Sequence, residues 1–312
     1  MTERLAAPMT APRAPVAPRP RTAGDARAWV RLLRPRQWIK NSFVLAPLLF
    51  SGLIVQPASV ARALLAFALF CLVASGVYAW NDVTDAIADR AHPSKRKRPV
   101  ASGAISPEAA RAAGALLVVP GVAAGWFVAT GLGVALTAYV ALNLLYGFRL
   151  KNIVILDVFT IAAFFVLRLL AGCAAIGVQP SVWLLLCGGL LSLYLGFAKR
   201  RHELILLGDA SPGHRSVLGD YDAALLDQMS VILLAVTIVA YIMYTLASET
   251  AALVGSETLS YSTVFVLYGV FRYLYLSHRH SGGDPSETLL TDRSLLAAVL
   301  LWLGYCAWAL YV

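Results

Sequence analysis

Between residues 81 and 98 the chain reads Asn-Asp-Val-Thr-Asp-Ala-Ile-Ala-Asp-Arg-Ala-His-Pro-Ser-Lys-Arg-Lys-Arg, which combines oxygen ligands for a hard cation with charges for a polyanion. Asn81, Asp85 and Asp89 recur every four residues, so on a continuing helix they form one stripe with Asp82 beside it. Like charges at that spacing repel by about 0.2–0.5 kcal/mol per pair in water, and by more where a membrane lowers the dielectric. A hard cation removes that penalty. Magnesium favours a carboxylate or two together with substrate phosphate oxygens and retained waters. Asn81, Asp82, Asp85 and Asp89 are therefore candidate metal ligands, and the three aspartates are candidate catalytic residues. Lys95, Arg96, Lys97 and Arg98 follow between Pro93 and Pro99. Acids that hold a metal beside a cationic cluster suit a metal-bound diphosphate. Taken alone, the basic run reads equally as a topogenic, headgroup-binding patch.

Other charged groups could serve the same substrate. Arg34-Pro-Arg36-Gln-Trp38-Ile-Lys40-Asn41 is either an interfacial anchor or a site in which Arg34, Arg36 or Lys40 holds a lipid phosphate above Asn41. Tyr146, Arg149 and Lys151 allow the same two readings. Asp157 and Arg168 lie eleven residues apart in one apolar run, roughly 16 Å along a helix axis and too far to pair directly. Each costs about 2.5–3.5 kcal/mol at mid-bilayer without a partner or cavity. Asp157 is expected to face a polar inner cavity and Arg168 to order the bundle. Asp209, Asp220 and Asp222 read as solvated loop acids. The histidines (His92, His202, His214, His278, His280) lack zinc spacing, and Cys71, Cys173, Cys187 and Cys306 sit in apolar runs without a disulfide or metal pattern.

The elements that must position these groups are membrane helices. With 59% hydrophobic and 14% charged residues and a mean hydropathy of +0.70, the chain has more apolar surface than one soluble core can hide. A spanning helix needs roughly 20 mostly apolar residues. Nine stretches qualify, at about 39–56, 58–81, 108–129, 131–148, 152–176, 181–199, 223–248, 259–277 and 289–311. Their length and lack of strict alternation predict an all-α polytopic bundle rather than a barrel. With the Arg-rich N-terminus inside, all of the 26 Lys and Arg except Arg62 and Arg168 fall on inner links or helix ends. That asymmetry predicts a multi-pass protein of the cytoplasmic (inner) membrane with its N-terminus in the cytoplasm, and it accounts for the net charge of +9 without nucleic acid. Residues 1–28, rich in Ala, Pro and Arg, read as a disordered basic tail without a cleavable signal peptide. Residues 29–312 read as one transmembrane domain. The two longest internal links, Asp82 to Pro107 and Arg200 to Asp222, are both on the inner side.

At residues 81–89 the sequence resembles the UbiA superfamily of intramembrane prenyltransferases, whose first signature is Asn-Asp-x-x-Asp-x-x-x-Asp. Within it the chain is most similar to the decaprenyl-phosphate phosphoribosyltransferase group, over Arg34–Asn41, the extended motif through Gly103, Leu145–Lys151, Arg168-x-x-Ala-Gly172 and Lys199-Arg-Arg-His-Glu203-Leu204. The resemblance covers the chain from about residue 34 onward. It implies nine helices, an inner-face site and a Mg2+ cofactor. Prenyl-diphosphate users carry a second Asp-x-x-x-Asp motif after the sixth helix, where this chain has Lys199, Arg200 and a single acid, Glu203. That departure fits phosphoribosyl diphosphate as donor and a polyprenyl (decaprenyl) phosphate as acceptor, with Lys199, Arg200 and Glu203 joining Arg34, Arg36, Lys40, Asn41, Lys95, Arg96, Arg98, Tyr146 and Lys151 as substrate-binding residues. Two alternatives are transfer of a prenyl group from prenyl diphosphate to an aromatic acceptor, and a non-catalytic lipid transporter. A homo-oligomer is compatible with all three readings.

Overall fold

The computed structural model describes residues 26–91, 95–207, 219–247, 250, 257–279, 288–289 and 291–311. The expectations for His92, Asp209, His214 and His280 lie outside them, as does the expected tail except residues 26–28, which are helical. The helices, in order, are α1 Ala26–Leu33, α2 Ala46–Phe50, α3 Pro57–Thr84, α4 Ala86–Ala91, α5 Pro107–Val128, α6 Thr130–Phe148, α7 Leu156–Ile176, α8 Val182–Leu207, α9 Ala223–Leu246, α10 Thr263–Arg279 and α11 Arg293–Tyr311. There is no strand among the described residues. The fold is an all-α membrane bundle. Seven helices (α3, α5, α6, α7, α8, α9 and α11) are long and apolar enough to cross a membrane. Leu116, Phe127, Val231 and Val239 are exposed off the cavity wall, as lipid-facing side chains must be.

Two of the nine expected spans differ from regular long helices, for identifiable reasons. The first is a 3₁₀ segment, Pro35–Val44, followed by the short α2. Pro47 has no N–H, and its ring opposes the carbonyl four residues back, so the chain breaks at Leu45. Bonds of the i→i+3 type tighten both sides, Leu45 N–H to Ser42 O at 2.8 Å and Leu48 N–H to Leu45 O at 3.1 Å. Packing on α7 compensates for the lost regularity. A Cβ on Gly172 would run into the Val44 carbonyl oxygen, so only glycine lets this irregular backbone lie against α7. The eighth span enters through a 3₁₀ turn, Glu257–Ser262, and α10 has only 17 residues. It carries Arg272, which donates to Asp292 at the foot of α11 at 2.8 and 3.2 Å.

The apolar core joins α3, α5, α6 and α7 through Phe70, Val73, Val77, Val118, Leu132, Leu136 and Tyr139. Lipid tails are as apolar as leucine, so close packing rather than water exclusion holds such helices together. At Gly76 a Cβ would sit 2.8 Å from the Gly114 carbonyl oxygen, which brings α3 and α5 into backbone contact. Helix starts follow ordinary capping chemistry. Ser106 Oγ accepts from Ala109 N–H at 3.2 Å, with Pro107 in the first turn. Asp222, read from sequence as a loop acid, accepts from Ala224 N–H and caps α9.

Candidate active site

The C-terminal ends of α3, α6 and α8 and the N-terminal end of α7 enclose one pole of a cavity of about 2020 Å³, roughly twice the upper end of pockets that hold drug-sized ligands. Asn81, Asp85 and Asp89 line this pole, with Arg34, Lys40, Lys95, Arg98, Tyr146, Lys151, Lys199, Arg200 and Glu203. The other pole is apolar and aromatic, walled by Phe50, Leu184, Leu191, Tyr244, Val266 and Trp302. One enclosure thus joins a charged end to a long apolar one.

The acid stripe stays in register across a break in the helix. α3 stops at Thr84, yet Asp85 N–H bonds Asn81 O at 2.9 Å and Asp89 N–H bonds Asp85 O at 2.8 Å, so the i→i+4 ladder carries all three residues to one wall. Asp82 points elsewhere. Its side chain is fully buried, one carboxylate oxygen pairs with Arg34 and lies 3.6 Å from Arg98, and the other is buried without a hydrogen-bond partner. Facing away from the stripe, it grips two cations from behind. Arg98 also donates to Asp89 at 2.7 Å, and Lys151 to Asp85 at 3.3 Å. Arg34 reaches Asp82 from a left-handed backbone position (φ 52°) and lies over the Tyr78 ring at 5.2 Å.

Four sequence candidates lie off the cavity wall. Arg36 and Arg96 are exposed. Asn41 is buried and accepts from Arg168 Nε at 2.8 Å while donating to Cys71 Sγ at 3.2 Å, so it braces the first segment instead of sitting beneath a phosphate. Asp82 is the fourth. Trp38, read as an interfacial anchor, donates to Ser75 Oγ at 3.0 Å, and Ser75 donates in turn to Leu33 O at 2.8 Å.

Asp157 also departs from expectation. It is completely buried behind the wall, where Arg200 Nε lies 2.8 Å from its Oδ2 and the Tyr221 hydroxyl donates to its Oδ1 at 2.9 Å. The Tyr221 oxygen accepts from Ile155 N–H at 2.7 Å. Burial, more than the neighbouring carboxylate, pushes the Tyr221 phenol up to about 12, so it remains a donor. Arg200, 1% exposed, also pairs with Glu203. Its charge is therefore engaged inside the protein instead of standing open for phosphate. The apolar run around Asp157 signals that a buried partner must exist, but no spacing rule points to Tyr221, 64 residues away.

The UbiA prenyltransferase family model matches residues 44–298. The chain belongs to that family. Among its UbiA relatives, a decaprenyl-phosphate phosphoribosyltransferase of Mycolicibacterium smegmatis is 32% identical over 292 residues, covering 90% of this chain and 92% of the relative. A Corynebacterium glutamicum protein of the same name is 29% identical, covering 91% and 86%. A UbiA homolog from Archaeoglobus fulgidus bound to GPP and Mg2+ superimposes with a TM-score of 0.70 at 18% identity, covering 91% of this chain and all of that one. This chain is accordingly a UbiA-family transferase and a multi-pass membrane protein.

The donor types at the charged pole are those magnesium takes, although no group of three or more His, Cys, Asp or Glu side chains able to hold a metal occurs among the described residues and Asp85 and Asp89 are paired with Lys151 and Arg98. The stripe offers hard oxygens from one amide and two carboxylates. Such a partial set, completed by phosphate and water, is how magnesium is usually held.

Proposed function

We propose that this UbiA-family protein transfers a 5-phosphoribosyl group from phosphoribosyl diphosphate to a polyprenyl phosphate, releasing diphosphate at the cytoplasmic face, with its N-terminus on that side. The observation that carries the reading is one cavity joining an apolar pole to a charged one, where Asp85 and Asp89 share the wall with Lys199 and, on α8, a single acid, Glu203, already paired with Arg200. A site for prenyl diphosphate alone would favour a second group of acids on α8. The relatives named as decaprenyl-phosphate phosphoribosyltransferases add support.

Asn81, Asp85 and Asp89 would hold magnesium, which when bound supplies charge neutralisation to the departing diphosphate. Lys95, Arg98, Lys151 and Lys199 offer ammonium and guanidinium groups to the remaining phosphates, and Lys40 and Arg34 stand where the first segment enters the cavity. Asp82 keeps Arg34 and Arg98 aimed inward. The acceptor phosphate is already a nucleophile, so the site needs no strong general base. The apolar pole takes the prenyl tail and keeps bulk water from the anomeric carbon as it becomes oxocarbenium-like.

Purified protein in detergent, given magnesium, labelled phosphoribosyl diphosphate and decaprenyl phosphate, is expected to form lipid-linked phosphoribose. A prenylated phenol formed from prenyl diphosphate in its place would replace this reading with aromatic prenyl transfer. Asp85→Asn is expected to lower turnover by about 100-fold or more with the fold intact by size-exclusion. Full activity in Asp85→Asn combined with Asp89→Asn would remove the metal role.

A further inference from the structure

Three acids line the cavity among the described residues. Asp85 and Asp89 belong to the stripe, while Glu203 arrives from α8, one turn past Lys199. A carboxylate among phosphate-holding cations repels the phosphates they attract, so its presence calls for a separate ligand group. Its setting is highly constrained. Arg200 pairs with Glu203 through Nη1 and with Asp157 through Nε. Asp157 is held by Tyr221, and Tyr221 by the N–H of Ile155. Ile155 itself has φ 67°, with Leu156 N–H closing onto Val154 O at 2.7 Å. A β-branched residue keeps that conformation only where its surroundings over-determine it. The side chains of Asp157 and Arg200 are 0% and 1% exposed, and that of Glu203 is 27% exposed. Both Arg200 and Glu203 reach the cavity wall, and Glu203 is the most exposed of the three charged side chains.

An ionised carboxylate only accepts hydrogen bonds. In the proposed reaction the diphosphate and the lipid phosphate are themselves acceptors, and the polyprenyl chain has neither donor nor acceptor. The remaining donors on the reactants are the ribose 2- and 3-hydroxyls. A carboxylate is the group that protein sites use to bind such hydroxyls. We infer that Glu203 is the specificity-determining residue for the donor sugar, accepting from the vicinal diol of the ribofuranose, with Arg200, Asp157 and Tyr221 as positioning residues that aim it. This rests on the phosphoribosyl-transfer reading. The 2-hydroxyl lies next to the anomeric carbon, so its hydrogen bond strengthens as positive charge develops there. The effect therefore falls on kcat as well as on KM.

The test uses the full-length protein in detergent with magnesium, decaprenyl phosphate and two donors, phosphoribosyl diphosphate and its 2-deoxy counterpart. Comparing each variant's donor preference with that of wild type cancels the higher intrinsic reactivity of the deoxy sugar. Glu203→Gln is expected to shrink the preference for the ribosyl donor by about 10- to 100-fold, the size of a charge-assisted hydrogen bond, with the magnesium half-saturation unchanged. Tyr221→Phe should produce a smaller loss of the same preference while Glu203 is still present. A preference unchanged in Glu203→Gln overturns the assignment. So does an equal loss with both donors accompanied by a raised magnesium requirement, which makes Glu203 a metal ligand. Should Glu203→Gln not fold, Glu203→Asp applies the same criterion, because a shortened carboxylate must also weaken the preference. Wild-type protein that transfers neither sugar defeats the reaction itself, an outcome distinct from active wild type with indifferent variants.

Discussion

Two arginines buried in the same bundle are neutralised in opposite ways. Arg168, 3% exposed, donates to the Asn41 amide oxygen at 2.8 Å and the Phe164 carbonyl at 2.7 Å, approaches the Tyr139 hydroxyl at 3.4 Å, and lies 5.0–5.3 Å from the ring centres of Phe70, Tyr139 and Phe165. Its described contacts include no carboxylate. Arg200, 1% exposed, has two. In the middle of the apolar run, neutral dipoles and aromatic faces solvate a cation without importing a second charge. The result is a rigid joint between α7 and the first segment. Near the cavity's charged pole, acids hold the cation, and one of them, Glu203, lies on the cavity wall. The first arrangement serves architecture and the second can pass orientation on to a ligand.

The contrast predicts a ranking of losses. Arg200→Met leaves Asp157 without its cation in a buried site and is expected to cost roughly 3–5 kcal/mol of stability, measured by denaturant titration in mixed micelles; Asp157→Leu in the same chain should recover most of it, since apolar replacement of a whole buried pair is often neutral. Arg168→Met leaves only neutral groups behind and should cost about 1–3 kcal/mol. A larger loss for Arg168→Met than for Arg200→Met would erase the distinction. Gly172→Ala forces the Val44 carbonyl away from α7 and should cost about 1–3 kcal/mol through overpacking, touching the Arg168 joint but not the preference between donor sugars. The smallest effect belongs to Asp292 at the bundle's edge. Hydrogen bonding from Arg272 holds its carboxyl below the usual aspartate value, against a lesser opposing effect of burial. A depressed folded value contributes stability that is complete above the unfolded value of about 3.9 and fades as pH falls through the folded one. Melting temperatures of wild type and Asp292→Asn should therefore differ at neutral pH and converge below about pH 4; a constant gap would dismiss the ion pair as its cause.

The local chemistry of the site was more legible than its tertiary supports. Asn81, Asp85 and Asp89 reached one wall because their four-residue period survives the break after Thr84, a property of the sequence itself. Asp82 differs from its neighbours only in direction around the helix, and that direction acquires meaning once Arg34 and Arg98 are seen behind it. Apolar length identified the seven regular spans. It failed on the first segment because Pro47 and a distant Gly172 reshape the backbone without altering hydropathy. The need for a partner at Asp157 was readable from the cost of burying a charge. The identity of that partner depended on which helices meet, and the single sequence does not encode that contact in any spacing.

The joint between Asn41 and Arg168 links residues separated by 127 positions. A segment that has left regular helical bonding needs outside partners for its polar groups wherever water is absent. During synthesis, then, residues 35–50 have to wait until α7 has been made before Asn41 meets its partner. The wall they form is assembled late, although it is translated before α7.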